Sequence, residues 1–272
     1  MPTLRVMVSP LVIRNNVRIS GRADGRAMVF VHGFGCAQGV WRAVSPAFEA
    51  DHRVVLYDHV GSGNADPSAY SAQRYASLGA YAEDLVEIAE SLGVQGGVMV
   101  GHSVGATIGI LAARLRPGLF DHLVLVGPSP RYVNTADYVG GFEQRDIDDL
   151  LDTLASNHLG WSRQMAPVIM GRPDRPDLEA ELTESFCRTD PRAAEGFARA
   201  TFLADNREDL PHIQARTLVL QCTDDPIAPV AVGDYVHRQI PGSQLVAVET
   251  SGHCPHMSEP DAVIRAMRDF LR

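Results

Sequence analysis

The sequence feature that most constrains this chain is an apolar run that ends in Gly101-His102-Ser103-Val104-Gly105. Residues 98–100 predict a buried strand, and apolar residues at helical spacing over 106–113 predict a helix directly after the serine. A strand, a sharp turn and a helix are the context in which a G-x-S-x-G motif exposes a nucleophilic serine. The alternative is a glycine-flanked serine that serves only as the N-cap of the helix.

Composition narrows the class of protein. The 272 residues are 45% hydrophobic and 21% charged, as in ordinary globular domains. No apolar stretch approaches the roughly 18 residues of a membrane span, and residues 1–26 contain no apolar signal-peptide core. The four cysteines form no C-x-x-C pair, which indicates free thiols in a reducing compartment. These features predict a cytoplasmic protein.

The charged residues argue against several kinds of function. All 24 basic residues are arginine, so neither a Schiff-base lysine nor a P-loop lysine is available. The formal net charge is −9 and no basic cluster stands out, which argues against nucleic acid and membrane surfaces as partners.

Short apolar runs alternate with helical patterns along most of the chain. This alternation predicts a mostly parallel sheet flanked by helices, in which ligands bind at the carboxyl ends of the strands. Residues 11–13 and 17–19, separated by Asn15-Asn16, predict a short opening hairpin. The predicted buried strands cover residues 28–31, 54–57, 98–100, 123–126, 217–221 and 245–248, and predicted amphipathic helices cover residues 78–92 and 260–271.

The alternation stops over residues 129–206. Strand-like runs are absent there, and apolar residues at helical spacing predict helices broken by glycine and proline. We expect this segment to form a helical cap inserted into a core of residues 1–128 and 207–272. Aromatic residues that would form an apolar pocket closed against water are Phe34, Phe142, Trp161 and Phe202. The alternative is that the aromatic residues of the cap only pack within it.

A loop after the first buried strand carries a candidate oxyanion hole. Gly33 and Gly35 at the end of that strand permit a loop whose backbone amides turn inward. The second donor of such a site is expected directly after the serine. The backbone amides of Phe34 and Val104 are therefore the candidate donors.

Two further strand ends carry an acid and a base. Asp224 or Asp225 follows the penultimate predicted strand, and His253 follows the last one. With Ser103, they give the chain order serine, aspartate, histidine, which distinguishes one class of serine hydrolase from the others. The aspartates could instead be turn formers before Pro226, and the histidine an ordinary loop residue.

Two other groups of polar residues have simpler interpretations. Asp58 and His59 follow a predicted strand, and a turn whose aspartate caps nearby backbone amides is favoured over an acid–base role. Cys254 and His256 could suggest a metal site, but no other cluster of ligand-type residues accompanies this short pair, so metal binding is not favoured.

The motifs together resemble a known family. The blocks that carry the resemblance are His32-Gly33-Phe34-Gly35-Cys36, Asp58-His59-Val60-Gly61-Ser62-Gly63, Gly101-His102-Ser103-Val104-Gly105, Val126-Gly127-Pro128-Ser129-Pro130, Leu220-Gln221-Cys222 with Asp224-Asp225, and Gly252-His253-Cys254-Pro255-His256. They are similar to those of the RsbQ-like α/β-hydrolases, bacterial stress-response regulators related to the plant karrikin and strigolactone receptors. The resemblance covers nearly the whole chain, including the segment 129–206.

The resemblance implies a capped α/β-hydrolase fold with an apolar pocket and an intact triad. It matches the acid of the family to Asp225, with Pro229 four residues further on. In the family that this chain resembles, the plant receptors bind and cleave a butenolide signal. The bacterial regulator acts in signalling together with a phosphatase that contains a PAS domain.

These observations predict a serine hydrolase of small apolar esters or lactones that needs no cofactor. Ser103 would attack the carbonyl, His253 would accept its proton, and Asp225 would orient the imidazole. The alternative is a regulatory protein that binds or processes a small ligand and acts through a PAS-containing phosphatase. A cofactor-free haloperoxidase or a C–C bond hydrolase could share the same triad. A haloalkane dehalogenase is disfavoured, because that chemistry uses an aspartate at the position of Ser103.

Overall fold

The computed structural model describes residues 10–272. This part of the chain contains a seven-stranded sheet in the order β1-β3-β2-β4-β5-β6-β7. Neighbouring strands are parallel throughout, except that β1 runs antiparallel to β3. The strands are β1 (Arg18–Gly21), β2 (Arg26–Val31), β3 (His52–Leu56), β4 (Gly97–His102), β5 (Phe120–Val126), β6 (Arg216–Asp224) and β7 (Gln244–Ser251).

Helices cover both faces of this sheet. Those of the described chain are α1 (Pro10–Arg14), α2 (Leu78–Ser91), α3 (Val104–Leu115), α4 (Gln144–Ser156), α5 (His158–Met170), α6 (Pro176–Arg188), α7 (Pro191–Phe202), α8 (Val230–Gln239), α9 (Pro255–Ser258) and α10 (Pro260–Leu271). Short 3-10 helices occupy Gln38–Trp41, Ser45–Phe48, Pro67–Ala69, Arg74–Ala76 and Arg207–His212. None of the helices described is both long and apolar enough to cross a lipid bilayer.

Side chains of β4 show why the sheet is buried on both faces. Val98 and Val100 pack into one hydrophobic cluster with residues of α10 and the helices between β5 and β6. Met99 points to the opposite side and packs into a second cluster with residues of α2 and α3. Successive residues of a strand point to opposite faces, so a run of apolar residues is what a strand covered by helices on both sides requires.

The amino-terminal end differs from the prediction. Residues 11–13 lie in α1 rather than in a hairpin strand, and β1 pairs with β3, where Ile19 lies opposite Val55. Asn15 explains the difference: its carbonyl accepts a hydrogen bond from the Asp58 amide (2.8 Å), and its side chain donates to the Asp58 carbonyl (3.0 Å). These bonds tie the segment to the loop after β3. The sequence also predicted that residues 1–26 contain no signal peptide. Residues 1–9 of that segment lie outside the described residues.

The segment between β5 and β6 is fully described, and it folds into α4, α5, α6 and α7. Helix α5 packs against α6 and α4, and α4 also packs against α7. Apolar residues of each helix, such as Ile147, Trp161, Leu182 and Phe202, join the hydrophobic cluster on the same face of the sheet. The helices therefore cover the carboxyl ends of the central strands.

Candidate active site

Ser103 occupies the sharp turn between β4 and α3. Its φ of 55° and ψ of −125° place it in a backbone conformation that costs energy for any residue with a side chain. The turn closes tightly around it, because a Cβ on Gly101 would lie 2.5 Å from the Gly105 carbonyl oxygen. The Ser103 side chain makes no capping hydrogen bond to α3, so its hydroxyl is available for another purpose.

The loop after β2 passes directly beside this serine. A Cβ on Gly33 would lie 2.8 Å from His102 Nδ1 and 3.3 Å from Ser103 Cβ, so the absence of a side chain allows the close approach. The next residues form a turn closed by a 3.3 Å bond from the Cys36 amide to the Gly33 carbonyl, with Gly35 at φ 68°. Within residues 10–272, the amides of Phe34 and Val104 donate no hydrogen bond. The predicted oxyanion-hole donors are thus free, and Val104 is at the amino end of α3, where the helix dipole favours negative charge.

Asp225 and His253 form a buried pair. Asp225 Oδ2 lies 2.8 Å from His253 Nδ1, and Asp225 Oδ1 accepts hydrogen bonds from the amides of Ile227 (2.8 Å) and Ala228 (3.0 Å). Because a carboxylate only accepts, the proton of neutral His253 lies on Nδ1 and its lone pair on Nε2. Nε2 is buried and has no hydrogen-bond partner within the described residues. The imidazole is therefore held in the tautomer that a general base needs.

The neighbouring Asp224 has a different environment. It is exposed, its carboxylate accepts a bond from Ser251 Oγ (2.8 Å), and its carbonyl accepts one from the Gly252 amide (2.8 Å). The sequence pattern did not decide which of the two aspartates pairs with His253. In the structure, Asp225 is the one that contacts the histidine.

A small cavity lies over these groups. About 30 Å³ is open to the centre of a water molecule, which is room for one or two waters. Its walls combine Ser103 and His253 with mostly apolar side chains. The lining residues are Phe34, Cys36, His102, Ser103, Tyr132, Leu150, Trp161, Met165, Ile169, Leu182, Phe186, Thr201, Phe202, Ile227, His253 and Cys254.

Comparison with known proteins identifies the family. The model described as "Alpha/beta hydrolase family" matches residues 28–266. The chain belongs to the alpha/beta hydrolase family.

The relatives of this alpha/beta hydrolase include plant proteins. It is 40% identical to a protein of Oryza sativa subsp. japonica that is named as a probable esterase, over 92% of this chain and 93% of the relative. It is 38% identical to "Karrikin insensitive 2 receptor CA" of Petunia hybrida, over 92% of this chain and 93% of the relative. A hydrolase from Oleispira antarctica of known structure is 37% identical, with a TM-score of 0.93 over 96% of each chain.

These findings confirm the predicted fold class, an α/β-hydrolase with a mostly parallel sheet flanked by helices. They also confirm the prediction of an enzyme at the level of the hydrolase family, with relatives named as esterases.

Three of the four aromatic residues predicted to form the pocket lie in the cavity wall of this hydrolase, and one does not. Phe34, Trp161 and Phe202 all line the cavity. The Phe34 ring is central, with its centroid 5.9 Å from that of Trp161 and 5.8 Å from that of Phe202. Phe142, the fourth predicted aromatic residue, is not among the residues that line this cavity. Its amide donates to the Tyr132 carbonyl (3.1 Å), which fixes the residue in a backbone bridge before α4.

Two hydroxyl groups of the cavity were not predicted. Tyr132 Oη lies 3.4 Å from Ser103 Oγ, and Thr201 Oγ1 has no hydrogen-bond partner in the described chain. Burial raises the pKa of Tyr132 to about 12, so its hydroxyl stays protonated at neutral pH. Tyr132 follows the carboxyl end of β5, the strand beside β4. This position, at the same edge of the sheet as Ser103, could have identified it from the sequence. Thr201 lies in a helical stripe of otherwise apolar residues. A hydroxyl at such a position was the sequence feature that could have marked it as a cavity residue.

The backbone of His253 is fixed from two sides. Its amide donates to the Ile169 carbonyl of α5 (2.8 Å), and its carbonyl lies 2.8 Å from His102 Nε2. Gly171, at φ 62° after α5, packs against Gly252 so closely that a Cβ would lie 2.6 Å from Gly252 Cα. The loop that carries His253 is thus attached both to the turn of Ser103 and to the helices that cover the site.

The cavity thiols are poor nucleophiles. Burial raises the pKa of Cys36 to about 12, and burial raises that of Cys254 well above its usual value. Both thiols remain protonated at neutral pH, which leaves the Ser103 hydroxyl as the nucleophile candidate.

Asp58 and His59 have the structural role favoured by the sequence. Asp58 Oδ1 accepts a bond from the Gln38 amide (2.8 Å), and Oδ2 accepts bonds from the Asn64 amide (2.9 Å) and Asn16 Nδ2 (2.7 Å). Within residues 10–272, no three histidine, cysteine or acidic side chains are arranged to hold a metal ion.

Proposed function

We propose that this chain is a serine hydrolase of small apolar esters or lactones, with Ser103 as nucleophile, His253 as general base and Asp225 as its partner. The observation that carries the proposal is the free, buried Nε2 of His253. It lines the same cavity as Ser103, while the 2.8 Å contact with Asp225 holds the proton on Nδ1. This tautomer and this placement are what proton removal from the serine requires.

The chemistry follows from these positions. His253 Nε2 accepts the Ser103 proton as Oγ attacks the carbonyl, and the Phe34 and Val104 amides donate to the oxygen that becomes negative. Loss of one such donor costs about 3 kcal/mol of transition-state stabilisation in comparable sites. His253 then gives the proton to the leaving alcohol, and a water activated by His253 releases the acyl group. The steps use only this chain's own residues and water.

The walls of the cavity favour a small, largely apolar substrate. Phe34, Trp161 and Phe202 surround the position where the acyl group would lie. We assign residues 129–206 to a cap and residues 1–128 and 207–272 to the core. About 30 Å³ of the cavity is open to a water centre, so an ester of several carbon atoms needs more room than the cavity has in this structure.

The proposal is tested by intact-mass measurement and turnover after incubation with a synthetic butenolide and, separately, a p-nitrophenyl ester. The wild type is expected to release product or to carry the acyl adduct, and Ser103→Ala is expected to do neither. Ser91→Ala, at the exposed end of α2, is the matched serine control and keeps full activity. Turnover by Ser103→Ala at the wild-type rate would overturn the proposal. So would a folded wild-type protein that is inert with both compounds.

A regulatory role is the second candidate, because a relative at 38% identity is named as a receptor. In this case the triad prepares or senses a ligand, and the output is contact with a PAS-containing phosphatase in the cytoplasm. The test is affinity capture from extract of the native cell, with and without a butenolide. Ligand-dependent recovery of such a phosphatase supports this role, and its absence under both conditions counts against it.

A further inference from the structure

Thr201 presents a buried hydroxyl that the reaction at Ser103 does not use. The residue is 2% exposed, it lies near the end of α7, and it lines the cavity over the triad. A threonine in a helix commonly donates to the carbonyl four residues earlier, which here belongs to Phe197. Thr201 Oγ1 makes neither this bond nor any other to the described residues.

An unpartnered hydroxyl is unfavourable in such a place. Buried polar groups are nearly always hydrogen-bonded, and an exception calls for a partner from outside the protein or a cost in stability. A valine has the same shape as threonine and would avoid that cost. The Thr201 hydroxyl is therefore a free donor for a molecule that fills the cavity.

We propose that Thr201 donates a hydrogen bond to a second oxygen of the substrate, so that the enzyme prefers esters or lactones with an ether or carbonyl oxygen besides the reacting group. This inference rests on the proposed ester or lactone chemistry at Ser103 and adds the class of substrate. Tyr132 is the other hydroxyl of the wall, and its 3.4 Å distance to Ser103 Oγ places it at the reacting end. His102 Nδ1 is also unpartnered in the wall, but it can only accept, because Nε2 of the neutral ring donates to the His253 carbonyl. Thr201 is thus the hydroxyl donor available to the rest of the substrate.

The experiment compares matched esters in which one CH₂ is replaced by oxygen. The acyl pair is p-nitrophenyl butyrate and p-nitrophenyl methoxyacetate. The alcohol pair is butyl acetate and 2-methoxyethyl acetate. Within each pair, the ratio of kcat/KM values is compared between wild type and variant, so that differences in intrinsic reactivity cancel.

Thr201→Val is expected to lower kcat/KM for the oxygen-containing member of at least one pair about tenfold relative to its hydrocarbon partner. Thr201→Ser keeps the hydroxyl and is expected to keep the wild-type ratio. If Thr201→Val folds poorly, Thr201→Ala removes the same hydroxyl. Unchanged ratios in both pairs overturn the inference, as does an equal loss for all four esters.

Failure of the proposed function is measured separately. The four esters are also titrated against Ser103→Ala with and without Thr201→Val, and binding is followed by the fluorescence of Trp161, which lines the cavity. This readout needs no turnover. A selective loss of affinity for the oxygen-containing esters supports the role of Thr201 even if the wild type proves inactive. Equal affinities within both pairs contradict it.

Discussion

An aspartate and a histidine lie at strand ends in two places in this molecule, Asp225 with His253 and Asp58 with His59. The two aspartates accept the same number of hydrogen bonds. Asp225 follows β6 and accepts two backbone amides and one side-chain donor, His253 Nδ1. Asp58 follows β3 and also accepts two backbone amides and one side-chain donor, Asn16 Nδ2. The two groups differ in the third donor. The imidazole of His253 has a second nitrogen, Nε2, that can accept a proton from a reacting group, whereas the amide of Asn16 has no such basic atom.

The histidines differ in their surroundings as well. His59 Nε2 lies 3.0 Å from the His32 carbonyl, and the His59 ring packs among Tyr57, Tyr81 and Phe197. His59 Nδ1 is also without a partner in the described chain, yet His59 is not among the residues that line the cavity. An unpartnered nitrogen therefore does not mark a base by itself. His253 differs because it lines the cavity and because Asp225, 2.8 Å from Nδ1, holds its proton on that nitrogen and leaves Nε2 as the acceptor.

The largest test of this comparison is Asp225→Asn. The asparagine NH2 can donate a hydrogen bond to His253 Nδ1, which favours the tautomer with the proton on Nε2, so kcat for a p-nitrophenyl ester is expected to fall about 10⁴-fold. Thermal unfolding monitored by circular dichroism checks that the variant is folded.

Asp58→Asn is the matched control for this test. It makes the same chemical change in the other group and is expected to leave kcat per folded molecule near the wild-type value. A comparable loss of kcat in Asp58→Asn, or retention of a tenth of the activity in Asp225→Asn, would remove the distinction between the two groups.

The next test concerns stability. Asp58→Ala leaves the buried amide of Gln38 and two further donors without an acceptor. It is expected to lower the free energy of unfolding by about 2–4 kcal/mol in urea titrations. Activity per folded molecule should change little. A variant as stable as the wild type would show that Asp58 does not hold its loop.

The smallest effect comes from pH. His256 packs between Trp41 and His102, at centroid distances of 4.5 and 4.3 Å, and burial lowers its pKa to about 3. The unfolded chain binds this proton near pH 6.5 and the folded chain does not. Stability from this group is therefore complete above pH 6.5 and is lost as pH falls toward 3.

His256→Phe removes this contribution. Between pH 7.5 and pH 5, the free energy of unfolding of the variant should fall by about 2 kcal/mol less than that of the wild type. Urea titrations at both pH values give the difference. The buried His32, His59 and His102, whose pKa values burial also lowers, are retained in both proteins and contribute to the remaining slope. Equal losses in the two proteins would mean that His256 is charged in the folded state.

Much of the fold was predictable because burial imposes regular spacing on the sequence. The apolar run at Val98 to Val100 and the stripes of α2 and α4 to α7 each gave an element of the right type at the right place. The amino-terminal hairpin was wrong because the partner of β1 is β3, some 35 residues away, and no local pattern records such a pairing. Short apolar runs fit several structures, and tertiary contacts decide among them.

The candidate site divides in the same way. Ser103 and His253 could be placed because each follows a strand in a parallel sheet. The choice of Asp225 over Asp224 needed the resemblance, since Asp224 is the last residue of β6 and Asp225 the next, so both lie at the same strand end. Phe142 and Thr201 could not be placed, because the direction of a side chain between elements depends on how the helices over the site are packed.

The contact between Gly171 and Gly252 has a consequence for engineering. A chimera that combined this sheet with covering helices from another protein would replace the Ile169 carbonyl that holds the His253 amide. The transplanted helices would also need a residue without a side chain at the position of Gly171, where a Cβ meets Gly252. His253 and the helices over the cavity are therefore best exchanged together, with residues 169–172 at the junction kept as they are.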